Sequence, residues 1–438
     1  MSSESVGLGR MTGGIIPLLM SVLAYRRLWY AGIGYYNAYW IEIVTTGWVV
    51  LVMSGSAFDV GLVGFCRTLP MLVLGVTLGA VSDRIRRTTL LLAVQAGGMV
   101  ISALLALLFI FDRANLMTLC VSSALLGSGW AADYSTRRAL ISEMQTTERT
   151  GNAMSLEAMS QQGSKIGATI VAGALLAAGG ATLSYAVLTA IYAYGVVAVL
   201  RLRRVFDDRE KRHRGSISLI RLIGEGFSTS VRAPLIRAVL LVTVVMNLLV
   251  FPYQQIIPVI ARQVLDIGPQ RMGVLAGADG IGAIAVAGVL VFRARSALAG
   301  RVFLGGALSA TVIVICLGTS RVFPLSFSLQ ILAGGFSGAF GAMQPVLIIN
   351  NVAPEMRARA LGVLAMAIGC TPIGILLSGT LSSLFGPSVT LAGTGSVAFV
   401  LLVLIAVSNR ALIRTKLAWI IHRRPGRAAK SIHNGRPG

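Results

Sequence analysis

The sequence predicts an all-α membrane protein: twelve transmembrane helices arranged as two six-helix halves. Three observations predict it. Of the 438 residues, 55% are hydrophobic and only 12% are charged, about half the roughly 25% charge of an ordinary soluble domain. The apolar residues gather in runs of the length a hydrocarbon core demands, about 20 residues. The 38 Lys and Arg fall almost entirely in alternate gaps between those runs. A β-barrel would instead alternate polar and apolar residues in segments of about ten, and no such pattern is present.

Residues 1–27 read as a cytoplasmic or interfacial N terminus. Its stretch "GGIIPLLMSVLA" is apolar and short, but Arg26 and Arg27 follow where a cleaved signal would need small residues. The N-terminal half, 28–200, holds runs at 28–53, 60–81, 88–111, 115–135, 156–179 and 182–200. Residues 201–235 form a cytoplasmic linker that opens with the mixed charges "RLRRVFDDREKRHRG" and continues as an amphipathic surface helix. The C-terminal half, 236–408, holds runs at 236–260, 271–292, 298–318, 322–349, 359–384 and 388–408. A basic cytoplasmic tail, 409–438, closes the chain and reads as disordered.

The net charge of +22 invites a nucleic-acid reading, which its distribution excludes. Gaps on one side receive 32 Lys and Arg, and gaps on the other receive four, Arg113, Arg262, Arg271 and Arg321. That bias places the rich side, both termini and the loop 79–87 in the cytoplasm. No basic stretch carries the interleaved aromatics of a single-strand platform. Cys66, Cys120, Cys316 and Cys370 lie singly in separate runs, and His213, His422 and His433 lie outside them. Neither a disulfide framework nor a zinc site fits. No phosphate-binding loop is present either. The sequence therefore predicts no metal, no cofactor, no catalytic residue and no enzyme activity.

Ionisable residues are costly inside a bilayer and are functional candidates wherever they stand. Glu42, Arg67, Lys165 and Asp279 are those residues, and we read them as proton-coupling candidates. The alternatives are a structural ion pair, for which Glu42 with Arg67 is the natural choice, or snorkelling, for which Lys165 is close enough to the cytoplasmic end. Glu42 shares a helix face with Tyr35, Tyr39 and Thr46, spaced four, three and four apart, and Trp40 lies beside it. Asn247, Phe251 and Gln254 share a face in the seventh run, and Gln255 follows. Trp130, Asp133 and Tyr134 cluster in the fourth run; Phe336, Phe340, Met343 and Gln344 lie in the tenth.

The loop "GAVSDRIRR" between the second and third runs carries Gly79, Asp83, Arg84 and Arg87. These residues resemble the G-x-x-x-D-R-x-G-R-[RK] loop motif of the major facilitator superfamily, with Arg86 where the motif has Gly and Thr88 where a basic residue is usual. "YRRLWYAG", "SGSAFDVGLVGFCRTLP" and "APEMRARALGV" extend the resemblance across about 25–410, towards the branch of enterobactin and related drug and siderophore exporters. Ser142 replaces that branch's Pro, and Ala168-Thr169 replaces its Gly-Pro. The resemblance implies a multi-pass protein of the bacterial inner membrane that acts as a monomer and exports a small amphiphilic molecule in exchange for protons. An importer, or a non-transporting scaffold, are the other readings. It implies that Tyr35, Tyr39, Trp40, Asn247, Phe251, Gln254, Gln255, Phe340 and Gln344 line a central cavity. It also implies that the loop is a cytoplasmic latch, with Asp83 facing the helix start near Ala358. Arg84 or Arg87 would then pair with Asp133 or Glu143.

Overall fold

The computed structural model describes residues 19–82, 85–206, 233–293, 299–352 and 356–409. Asp83, Arg84, most of the predicted linker, residues 1–18 of the N terminus and all but the first residue of the predicted tail lie outside the described residues. Gly79 lies inside a helix.

The N-terminal helices are α1 (Leu23–Ser54), α2 (Ala57–Ser82), α3 (Arg87–Ile110), α4 (Leu116–Met144) and α5 (Thr147–Arg203). After the linker come α6 (Pro234–Val245), α7 (Ile257–Gln263), α8 (Pro269–Arg293), α9 (Ala299–Thr319) and α10 (Phe323–Asn351). The last three are α11 (Arg357–Ile368), α12 (Thr371–Phe385) and α13 (Pro387–Ser408). Among the described residues there is no strand, and eight helical segments are long and apolar enough to cross a membrane. The molecule is all-helical.

Local chemistry sets the ends. Asn115 and Thr118 cap α4 reciprocally: Asn115 Oδ1 accepts from the Thr118 amide at 2.9 Å, and Thr118 Oγ1 accepts from the Asn115 amide at 3.1 Å. The long α5 breaks at Gly179–Gly180, where Gly180 takes φ 63°, ψ −152°, a conformation only glycine adopts easily. Left-handed residues also mark the ends of α1 (Gly55, φ 68°), α3 (Asp112, φ 52°), α7 (Asp266, φ 48°) and α12 (Gly386, φ 81°). With Gly180 they mark five tight connections between described helices.

The seventh apolar run is not one helix, as its composition predicts. A π turn (Met246–Val250) and a 3-10 turn (Phe251–Ile256) separate α6 from α7. Pro252 and Pro258 supply no amide for the ladder there. The eleventh run is also interrupted, between Ile368 and Thr371.

Side chains bind α1 to α5. Tyr36 Oη donates to Glu157 Oε1 (2.6 Å), Trp29 Nε1 to Ser160 Oγ (2.8 Å) and Asn37 Nδ2 to Ser164 Oγ (3.3 Å). Two seams then join helices from before and after the linker: α5 with α8, and α2 with α12. Both are built on glycine. A Cβ on Gly273 would collide with the carbonyl oxygen of Thr169, and one on Gly61 would lie 2.8 Å from Gly379 Cα. Small residues let the backbones touch, which is how helices associate where lipid removes the hydrophobic drive.

Candidate functional site

A cavity of about 460 Å³ opens between the N-terminal and C-terminal helices. Tyr39 and Trp40 reach it from α1, Arg67 from α2, and Gln161, Gln162 and Lys165 from α5. Asn247, Phe251, Gln254 and Gln255 line it from the broken segment, Asp279 from α8, Ser337 from α10 and Thr371 from α12. Its size is that of a small-molecule pocket.

The helix break decides which amides face the cavity. In a continuous α-helix, successive residues are rotated by about 100°. Gln254 and Gln255 both lie in the 3-10 turn, and both line the cavity where the helix axis is broken. Gln255 also fills a notch in α2 left by Gly64, where a Cβ would press on its side chain. The Thr371 hydroxyl, at the start of α12, donates to Asn247 Oδ1 at 2.9 Å.

Two ion pairs sit at the wall. Arg67 Nε donates to Glu42 Oε2 at 2.7 Å; the other carboxylate oxygen accepts from Thr46 Oγ1 at 3.3 Å. Arg67 also stands 4.8 Å over the Tyr39 ring, which stacks on Trp130 at 3.9 Å. The second pair joins helices from opposite sides of the linker. Lys165 Nζ lies 2.5 Å from Asp279 Oδ2 and 3.3 Å from Gln254 Oε1, and stands 4.5 Å over the Trp40 ring. Lys165 does not snorkel: its side chain is 8% exposed and that of Asp279 6%. Asp279 Oδ1 is buried without a hydrogen-bond partner.

A third charged group lies away from the cavity, between α1, α4 and α5. Arg137 makes a two-pronged contact with Asp133 (2.9 and 2.7 Å), donates to the Leu28 carbonyl (2.9 Å) and reaches Glu157 at 3.5 Å. Charge counting along the sequence places Arg137 among the loop cations that set topology; in the structure its side chain is 1% exposed. Asp133 is therefore taken, and Arg87 pairs instead with Glu143 at 2.5 Å.

Three expected cavity residues stand behind the wall. Tyr35 is turned into a side pocket with Gly98 and Tyr192, stacked on Trp130 at 6.0 Å. Phe340 is fully buried against Phe303, with ring centroids 4.8 Å apart. Gln344 Nε2 donates to Thr243 Oγ1 at 2.9 Å inside the C-terminal helices. Sequence reasoning missed Gln161, Gln162, Ser337 and Thr371 at the wall, and the Arg137–Glu157 contact. A signal existed for some of them: Glu157, Gln161 and Lys165 recur every four residues on α5, and Asp133 stands four residues before Arg137.

This architecture has known counterparts. The chain is 24% identical over 361 residues to the staphyloferrin A transporter of Staphylococcus aureus, covering 79% of this chain and 86% of that protein. It is 26% identical over 361 residues to the multidrug efflux pump Tap of Mycolicibacterium fortuitum, again covering 79% and 86%. Among solved structures, it resembles a POT family transporter in complex with 5-aminolevulinic acid, with TM-score 0.70 at 11% identity over 89% of this chain and 96% of that one. It also resembles an inward-facing bacterial homologue of the lysosomal transporter Spinster, with TM-score 0.66 at 15% identity over 89% and 96%. The family model of transmembrane secretion effectors matches residues 12–424. The chain thus belongs to the transmembrane secretion effectors of the major facilitator superfamily and is a multi-pass membrane transporter.

Proposed function

We propose that the protein exports a small amphiphilic molecule, drug-like or siderophore-like, in exchange for protons, by alternating access. The observation that carries this reading is the cavity between the N-terminal and C-terminal helices, with aromatic and amide walls and two buried ion pairs. The aromatic rings of Tyr39, Trp40 and Phe251 offer an apolar body a surface, and five amides beside them offer a polar head donors and acceptors. The siderophore and multidrug relatives support the substrate class.

In this reading the chain crosses a bacterial inner membrane twelve times as a monomer, with both termini in the cytoplasm. The helices α1, α2 and α4, with 32, 26 and 29 residues, are long enough to cross although they carry the site's polar groups. The break at Gly179–Gly180 makes two passes of α5. Glu42 is the proton carrier. It is buried against Arg67 at 2.7 Å, and a change in that contact as access alternates would link the two sides of the exchange. The loop bearing Gly79, Asp83, Arg84 and Arg87 is the cytoplasmic latch, and the Arg87–Glu143 pair supports that role.

The test is transport in inverted vesicles under an imposed pH gradient, across siderophores, drugs and organic acids. Acid-inside vesicles should accumulate the substrate, and collapse of the gradient should stop them. Glu42→Gln should retain substrate exchange and lose gradient-driven accumulation. Accumulation that ignores the gradient removes proton coupling; accumulation only in right-side-out vesicles makes the protein an importer.

A further inference from the structure

The two ion pairs at the cavity differ in a way that bears on what the cavity binds. The Glu42–Arg67 pair lies within the N-terminal helices, and both carboxylate oxygens of Glu42 have partners. The Lys165–Asp279 pair bridges α5 and α8, and Asp279 keeps one buried oxygen, Oδ1, unpartnered. Directly beside it the two helices touch. Thr169, one turn beyond Lys165, packs on Gly273 and Gly277, within two turns of Asp279. The close contact continues past the pair, where Gly280 meets Ile166 and Gln162, so the pair stands within the α5–α8 seam on the face that lines the cavity.

Any ligand that parts α5 from α8 must part this pair. Separating it strands a buried cation and a buried anion, each unfavourable without a partner. A singly charged ligand satisfies one partner and abandons the other. A ligand head that carries both an anion and a cation satisfies both, and its spare N–H meets the open valence of Asp279 Oδ1.

We infer that the ligand's polar head enters between Lys165 and Asp279, and that this head is zwitterionic, with an anionic group for Lys165 and a protonated amine for Asp279. Trp40, whose ring already faces the Lys165 ammonium at 4.5 Å, and Phe251 flank the entry with apolar surface for the attached body. The inference deepens the substrate class of the cavity described above and rests on that assignment of the site. It does not rest on proton coupling or on direction of transport.

The experiment measures binding of three probes that share one ring system to the purified full-length protein in detergent, by calorimetry at neutral pH without a gradient. Naphthylalanine is the zwitterion, naphthylethylamine the cation and naphthylpropionate the anion. Naphthylalanine should bind at least about tenfold more tightly than either counterpart, because only it leaves no stranded charge. Asp279→Asn should shift the preference towards naphthylpropionate, and Lys165→Gln towards naphthylethylamine. A merely structural pair would not shift the two variants in opposite directions. The proposal is overturned if naphthylalanine does not bind, if either singly charged probe binds as tightly to the wild type, or if both variants shift alike. Where a variant does not fold, the wild-type ranking decides alone. A protein that fails the vesicle assay but ranks the probes this way keeps this inference and loses the transport reading.

Discussion

Lys165 and Asp279 are 114 residues apart in sequence and 2.5 Å apart in space. They form the ion pair at the cavity that ties helices before the linker to helices after it. Removing one member should be worse than removing both. Asp279→Ala alone leaves the Lys165 charge buried and should lower stability by about 3 kcal/mol. Asp279→Leu combined with Lys165→Met should return thermal unfolding in detergent close to wild type. Equal damage from the single and double changes would contradict the pairing.

Arg137 should tolerate no replacement. It satisfies Asp133 with two nitrogens and Leu28 with a third. Lysine keeps the charge but not the planar fork. Arg137→Lys and Arg137→Ala should both reduce the folded yield, measured by fluorescence-detected size exclusion. Gly32→Ala should do so more mildly, since its Cβ would lie 2.9 Å from Arg137 Nη1. A fully folded Arg137→Lys protein would show that the fork is dispensable.

The glycine seam should be intolerant of bulk. Gly273→Val would drive a side chain into the Thr169 carbonyl and pry α5 from α8. A cysteine placed at Ala276, on the cavity wall, should then react faster with a membrane-impermeant thiol reagent added from outside. An unchanged labelling rate would mean that the seam does not seal that end.

Pro252 should matter for binding more than for folding. Pro252→Ala restores a backbone donor and lets the helix run on, which rotates Gln254 and Gln255 relative to each other. Substrate affinity should fall severalfold while thermal stability holds or rises. Affinity equal to wild type would separate the break from the site.

Topology can be read directly. Reporter fusions at Asp112, Asp266 and Ser320 should appear outside the membrane, and those at Ile85 and Phe206 inside. One reversed fusion in an intact chain would overturn the order of spans.

Much of this was legible in the sequence, and the rest was hidden for identifiable reasons. Run length and the placement of Lys and Arg reveal helices and their order because the bilayer imposes both. Glu42 and Arg67 were recognisable as a pair because membrane charge needs a partner. The partner of Lys165 was not recognisable, because a contact across 114 residues leaves no local periodicity. Arg137 misled because a cation at a helix end looks the same whether it faces water or a buried carboxylate. Phe340 and Tyr35 misled because an aromatic stripe reads alike against a cavity or a neighbouring ring. The break after α6 was foreshadowed by Pro252 and Pro258, but its π and 3-10 turns are visible only in the backbone path.

The five left-handed residues have a practical consequence. Turns this short hold no slack, so a probe attached beside them moves with its helix and not independently of it. Spin labels at Ser56 and Asp266 would act as rigid pointers on α1–α2 and α7–α8. The distance between them, followed as ligand or pH is varied, would measure displacement of the N-terminal helices against the C-terminal ones with little blurring from tether motion.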